Sequence, residues 1–216
     1  MAMTDKIGVL THSSIRISHD KIIYVDPFKI KEETHDADLI LITHDHYDHF
    51  SPEDIGRVAK EDTRLAVPAK MEGQAAELGF SGNRLIMVRP GMIREIDGIL
   101  VEVVEAYNNL KPFHPKKKGW VGYILTIDRK RIYIAGDTDI TEENRQVKCD
   151  IALVPVGGTY TMDAKRAAKL VNEIRPEVAI PTHYGSIVGS KRDGEVFSQN
   201  VDAQIRVEIR MRHDQA

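Results

Sequence analysis

A single cysteine, Cys149, occurs in 216 residues. Without a second thiol there is no internal disulfide framework, and the chain suits a reducing cytosol. Cys149 precedes the apolar run IALVPV and reads as a small core residue. A continuous apolar run of about 18 residues is also missing, which argues against a membrane-spanning helix. The opening residues MAMTDKIGVLTHSS lack the apolar region of a secretory signal, so a cytoplasmic protein is expected. Basic excess is absent too: 30 Lys and Arg stand against 33 Asp and Glu, a formal net charge of −3. That balance argues against nucleic acid as a partner. Linkers, low-complexity segments and clear internal repeats are lacking, so one domain over residues 1–216 is expected.

What is present is material for a full core, with 42% hydrophobic residues. GVLTHSSIRIS and KIIYVDP read as two short strands joined at His19-Asp20. LILIT follows, apolar throughout, as a strand buried on both faces does. Ser51-Pro52-Glu53-Asp54 signals a helix start running to about Ala59, with a capping hydroxyl, proline at the first position and acids at the positive dipole end. TRLAVP reads as a strand, and AKMEGQAAEL as a helix stopped by Gly79. NRLIMVR, ILVEVVEA, GWVGYILTI and RIYIAG continue as β-rich segments, the last two joined by a turn at Asp128-Arg129-Lys130. IALVPV and VAIPTH are further buried strands, separated by the helix DAKRAAKLVNEI, and QIRVEI alternates like an edge strand. β-rich and mixed stretches thus alternate twice, which predicts an α/β protein with two sheets and outer helices.

The polar stretch ITHDHYDHF places three histidines and two aspartates between His44 and His49. It lies between a buried strand and a capped helix, a rigid mounting that still faces solvent. His44, His46, Asp48 and His49 exceed what helix capping needs. Imidazole nitrogens and carboxylate oxygens without thiolates suit zinc, manganese or iron. Asp137, in AGDTD, and His183, in PTHYGS, stand at the mouths of two further buried strands. Taken alone these would read as a turn former and a core-side histidine; their shared placement makes a common site the better explanation.

These motifs together resemble the metallo-β-lactamase fold hydrolases. ITHDHYDH is similar to their HxHxDH signature, and AGDTD to the motif of the metal-bridging aspartate. IPTHYGS is similar to the final histidine motif, and Asp26 in IYVDP to an early strand-end aspartate. The likeness runs over roughly residues 7–190, and VLTHSSIRIS with the lack of lid insertions is most similar to the compact branch of ascorbate-6-phosphate lactonase. The resemblance implies a four-layer αββα sandwich and two divalent metal ions, zinc first, with manganese or iron as alternatives. It implies one metal on His44 and His46, a second on Asp48, His49 and His183, and Asp137 between them. Asp26 would orient a ligand or a loop, or simply be a turn aspartate before Pro27, and His12 falls where the branch carries a cavity histidine.

One position departs from the family. Where a third histidine is usual, this chain has Asn108, a weak neutral donor. His114, six residues on, is the alternative ligand, or else a substrate-binding or loop-capping residue. Lys116, in the run Lys116-Lys117-Lys118, is either a solvated loop tip or an anion-binding residue. Phe113 and Trp120 are either an apolar wall or core. The expected activity is metal-dependent hydrolysis of an ester, lactone or phosphodiester, with Asp48 as ligand and as orienter or proton acceptor of the attacking water. The expected partner is a small-molecule substrate, anionic if Lys116 binds it, and a homo-oligomer is compatible with the sequence. The alternatives are a diiron redox protein and a metal-containing protein that binds a metabolite without turnover.

Overall fold

A computed structural model of the chain describes residues 2–109 and 111–211. They form two compact units, Met1–Arg89 and Pro90–Ala216, each built on one mixed sheet.

The first unit has a six-stranded sheet in chain order, β1 (Ile7–Thr11), β2 (Ser14–Ser18), β3 (Ile22–Val25), β4 (Ala37–Leu41), β5 (Ala59–Pro68) and β6 (Leu85–Val88). β1 to β3 run antiparallel, and β3 to β6 are parallel. Leu39, Ile40 and Leu41 of β4 are fully buried, as the continuous apolar run requires of a strand covered on both faces. Helices α1 (Pro52–Val58) and α2 (Glu72–Glu77) connect the parallel strands. Ile55, Val58, Met71 and Ala75 join Ile40, Leu65 and Val67 in one core cluster. Ser51 caps α1 as expected, its hydroxyl accepting from the Asp54 N–H at 3.3 Å.

GVLTHSSIRIS is not one strand but a hairpin. Thr11 pairs with Ser14, and the chain reverses through His12, whose φ of +49° is left-handed. Alternation of side chains cannot reveal such a turn when neither glycine nor asparagine marks it.

The second unit has a seven-stranded sheet, β7 (Ile93–Ile96), β8 (Ile99–Glu105), β9 (Val121–Ile127), β10 (Lys130–Ile134), β11 (Ile151–Pro155), β12 (Val178–Thr182) and β13 (Arg206–Val207), again in chain order. β7 to β10 are antiparallel and β10 to β13 parallel. Helix α3 (Ala164–Ile174) buries Ala167, Ala168, Leu170, Val171 and Ile174 and is capped by Asp163. Helix α4 (Asp193–Asn200) and strand β7 were not expected. β7 buries only Ile96 and α4 only Gly194 and Phe197, so neither carries a hydrophobic period. The QIRVEI strand shrinks to the two residues of β13. The α/β class and the two-sheet plan agree with the sequence expectation. Among the described residues no helix is long and apolar enough to cross a membrane.

Candidate metal centre

In the first unit the candidate residues follow β3 and β4 or lie in the β1–β2 turn. Asp26 follows β3 in a left-handed conformation, φ +46°, and is buried. The Thr43 N–H donates to its Oδ1 at 2.8 Å, and the Thr43 hydroxyl donates to its Oδ2 at 2.6 Å. The same Oδ2 lies 2.7 Å from His49 Nδ1. Burial pushes the Asp26 carboxyl up from its ordinary pKa, and His49 and Thr43 oppose that push.

This geometry assigns two tautomers. A carboxylate facing His49 Nδ1 favours the proton on that nitrogen and leaves Nε2 as the lone-pair donor. The Thr43 hydroxyl has one proton, directed at Asp26, so at 2.9 Å it accepts from His44 Nδ1. His44 then also presents Nε2 as a base, and that atom faces His46 Nδ1 at 3.1 Å. One carboxylate and one hydroxyl therefore orient two imidazoles.

Asp48 is buried, with Oδ2 3.1 Å from His12 Nε2 and 3.7 Å from His49 Nε2. One donor atom from each of His12, Asp48 and His49 falls within 4.8 Å of the others. The turn that makes this possible closes through His49 N–H and Phe50 N–H, both donating to the His46 carbonyl. Tyr47 points outward, 67% exposed, edge-on to Phe28 at 6.0 Å.

In the second unit Asp137 follows β10, His183 follows β12, and His114 lies in the β8–β9 connection. All three are buried. His114 Nε2 and His183 Nε2 converge on Asp137 Oδ2 at 3.3 and 3.1 Å. His114 and His183 are left-handed, φ +55° and +59°, conformations that cost energy for a residue with a side chain and gather at functional sites. Behind His183 stands Gly157: a Cβ there would lie 2.2 Å from the His183 carbonyl oxygen.

Asn108 is buried, and its amide nitrogen donates to the carbonyls of Phe113 and Tyr160 at 2.9 and 2.7 Å. Trp120 is buried with its ring centroid 5.2 Å from that of His114, whereas Phe113 is 44% exposed and packs edge-on against Tyr160. The Lys116 ammonium is held by Glu143 at 2.7 Å and Glu105 at 3.0 Å, so its charge is already balanced by carboxylates outside its own loop. Thr43, Gly157 and the Tyr160 carbonyl were not foreseen. Thr43 carries no period or motif signal, only its place before His44.

Imidazoles whose tautomers are set from behind, together with buried carboxylates and no thiolate, fit a borderline or hard divalent ion. Comparison with known proteins agrees. A family model described as a β-lactamase superfamily domain matches residues 6–183. A UPF0173 metal-dependent hydrolase of Pyrococcus abyssi is 30% identical over 218 residues, covering 94% of this chain and 95% of that protein. A solved structure from Parabacteroides distasonis, whose name places it with the metal-dependent hydrolases, has a TM-score of 0.79 at 34% identity, covering 95% of this chain and 93% of that one. Igni18, a metallo hydrolase of Ignicoccus hospitalis, has a TM-score of 0.78 at 25% identity, covering 95% and 94%. The fold is that of the metallo-β-lactamases. The chain belongs to the β-lactamase superfamily domain family and, within it, to the UPF0173 metal-dependent hydrolases.

Proposed function

We propose that this hydrolase holds two divalent ions, zinc first with manganese or iron as alternatives, and cleaves an ester, lactone or phosphodiester in a small substrate. His44, His46 and His114 would hold one ion, and Asp48, His49 and His183 the other, with Asp137 shared. The observation that carries this reading is the Asp26–Thr43 pair, which turns Nε2 of both His44 and His49 into lone-pair donors. When bound, the ions supply Lewis acidity and lower the pKa of a water towards neutrality.

The chain's own residues do the rest. Asp48 orients the attacking water or takes its proton on the carboxylate, whose Oδ2 is steadied by His12. Asp26 keeps His49 in one tautomer and ring orientation through the cycle. Hydrolysis is favoured over the redox and binding-only alternatives by the names of the relatives. A lactone or other ester accords with the resemblance to the lactonase branch.

Asp48→Ala is expected to abolish turnover and leave the circular dichroism spectrum unchanged. Activity that survives at unchanged metal content would remove Asp48 from the mechanism. A panel of lactones, esters and model phosphodiesters, assayed with added zinc or manganese, identifies the bond cleaved. Failure to turn over any member with either metal would count against this reading.

A further inference from the structure

We infer that Asn108 is a positioning residue for His114, not a degenerate metal ligand in the place of a histidine. The inference rests on the reading of His114 as a ligand. Asn108 grips both peptide groups that flank His114. Its side-chain amide donates to the Phe113 carbonyl at 2.9 Å, the carbonyl bonded directly to the His114 nitrogen. Its backbone N–H donates to the His114 carbonyl at 2.8 Å. Between these two fixed planes His114 has a φ of +55°, a left-handed conformation that is uncommon for a non-glycine residue and that the two hydrogen bonds hold in place.

The second amide proton reaches a different loop. Asn108 Nδ2 donates to the Tyr160 carbonyl at 2.7 Å, between α3 and β11. Lys111 reinforces the same connection by donating to the carbonyls of Gly158 and Thr161. The His114 loop is thus tied to a neighbouring turn before its imidazole meets Asp137 at 3.3 Å.

The direction of the amide separates positioning from ligation. An asparagine ligates a metal through its oxygen, yet here the nitrogen makes both carbonyl bonds and also lies 3.3 Å from His114 Nδ1. Two carbonyl acceptors fix the amide orientation, because an oxygen in their company would be repelled. Oδ1 is buried without a hydrogen-bond partner, so the oxygen's own role needs a direct test. The isosteric Asn108→Asp supplies it. An aspartate would bind a metal more tightly than asparagine if Oδ1 were a ligand, and would break the clamp if Nδ2 is what matters.

The experiment measures bound metal by elemental analysis, and its release rate to a chelator, in wild type, Asn108→Ala, Asn108→Asp, His114→Ala and the double variant Asn108→Ala/His114→Ala. Thermal melting is followed in parallel. The expected result is a loss of metal affinity of about 10–100-fold in Asn108→Ala, typical of removing a group that orients a ligand. Asn108→Asp should lose at least as much, and the double variant no more than His114→Ala alone. If Asn108→Ala is too unstable to purify, Asn108→Ser, with one donor where the amide has two, is read in its place. Wild-type retention in Asn108→Ala, or a lowered melting temperature with unchanged metal release, overturns the inference while leaving His114 as a ligand. Tighter binding in Asn108→Asp overturns it in favour of oxygen ligation. Unchanged metal in His114→Ala overturns the ligand reading itself and the inference with it.

Discussion

Asp26 shows how much of the candidate metal centre lies behind its donor atoms. Its buried carboxylate meets Thr43 twice and His49 once, and through the Thr43 hydroxyl it also decides the His44 tautomer. Asp26→Asn keeps the shape, removes the charge and puts an amide N–H where an acceptor stood. Metal affinity is expected to fall about 10–100-fold, measured by chelator competition on the folded protein. Unchanged affinity would show that the tautomers are set by other groups. Gly157→Ala tests the same principle from the backbone. Its Cβ would stand 2.2 Å from the His183 carbonyl, so His183 must shift, and metal content should drop in a protein that still melts cooperatively. His44, His46, Asp48 and His49 were legible because four polar donors crowd one strand end, which packing does not explain. Thr43 and Gly157 were not legible, since a strand-end threonine and a loop glycine look ordinary until their neighbours are known.

At the scale of elements the connection between β8 and β9 carries the most consequence. It holds Asn108 and His114, and Lys116 anchors it to Glu105 on β8 and to Glu143 in the connection after β10. Burial pushes the Glu143 carboxyl up, but Lys116, a backbone N–H and the Tyr107 hydroxyl outweigh it and hold the pKa at about 2, down from 4.5. A group whose folded pKa is depressed stabilises the native state above its unfolded pKa and loses that contribution as pH falls. The stability difference between wild type and Glu143→Gln should therefore be full above about pH 4.5 and vanish towards pH 2. Denaturant melts over that range read it; a pH-independent difference would mean that the ion pair does not act on folding. β4, β9, β11 and β12 were readable as nearly continuous apolar runs, and α3 by the helical period of its buried face. The β1–β2 turn, β7 and α4 were not. The turn lacks a marker residue, and the other two are held by pairing and packing with neighbours rather than by their own hydrophobicity.

Over the whole molecule the two units repeat one plan. Each sheet follows chain order, begins with antiparallel strands and ends with parallel ones. In each, aspartate and histidine stand just past parallel strands: Asp26 and His44 after β3 and β4, Asp137 and His183 after β10 and β12. Strands that end together in a parallel sheet deliver their following residues to one edge, where α/β proteins place their ligands. Lateral register thus brings donors close that the sequence separates by dozens of residues, such as Asp137 and His183. Each unit carries candidate donors, so under the proposed function the effect of metal loading should appear in the stability of the protein. Ligand that binds only the native state adds about 2.7 kcal/mol at a hundred times its Kd. For a chain of this size each kcal/mol shifts the melting temperature by about 2–4 °C. Saturating zinc or manganese should therefore raise the melting temperature over chelator-treated protein by about 5–11 °C for each ion bound. The increment should shrink in His183→Ala and in His44→Ala alike, since each variant removes a ligand from one unit. A melting temperature indifferent to chelator and to both metals would mean that these donors hold no ion in the folded protein.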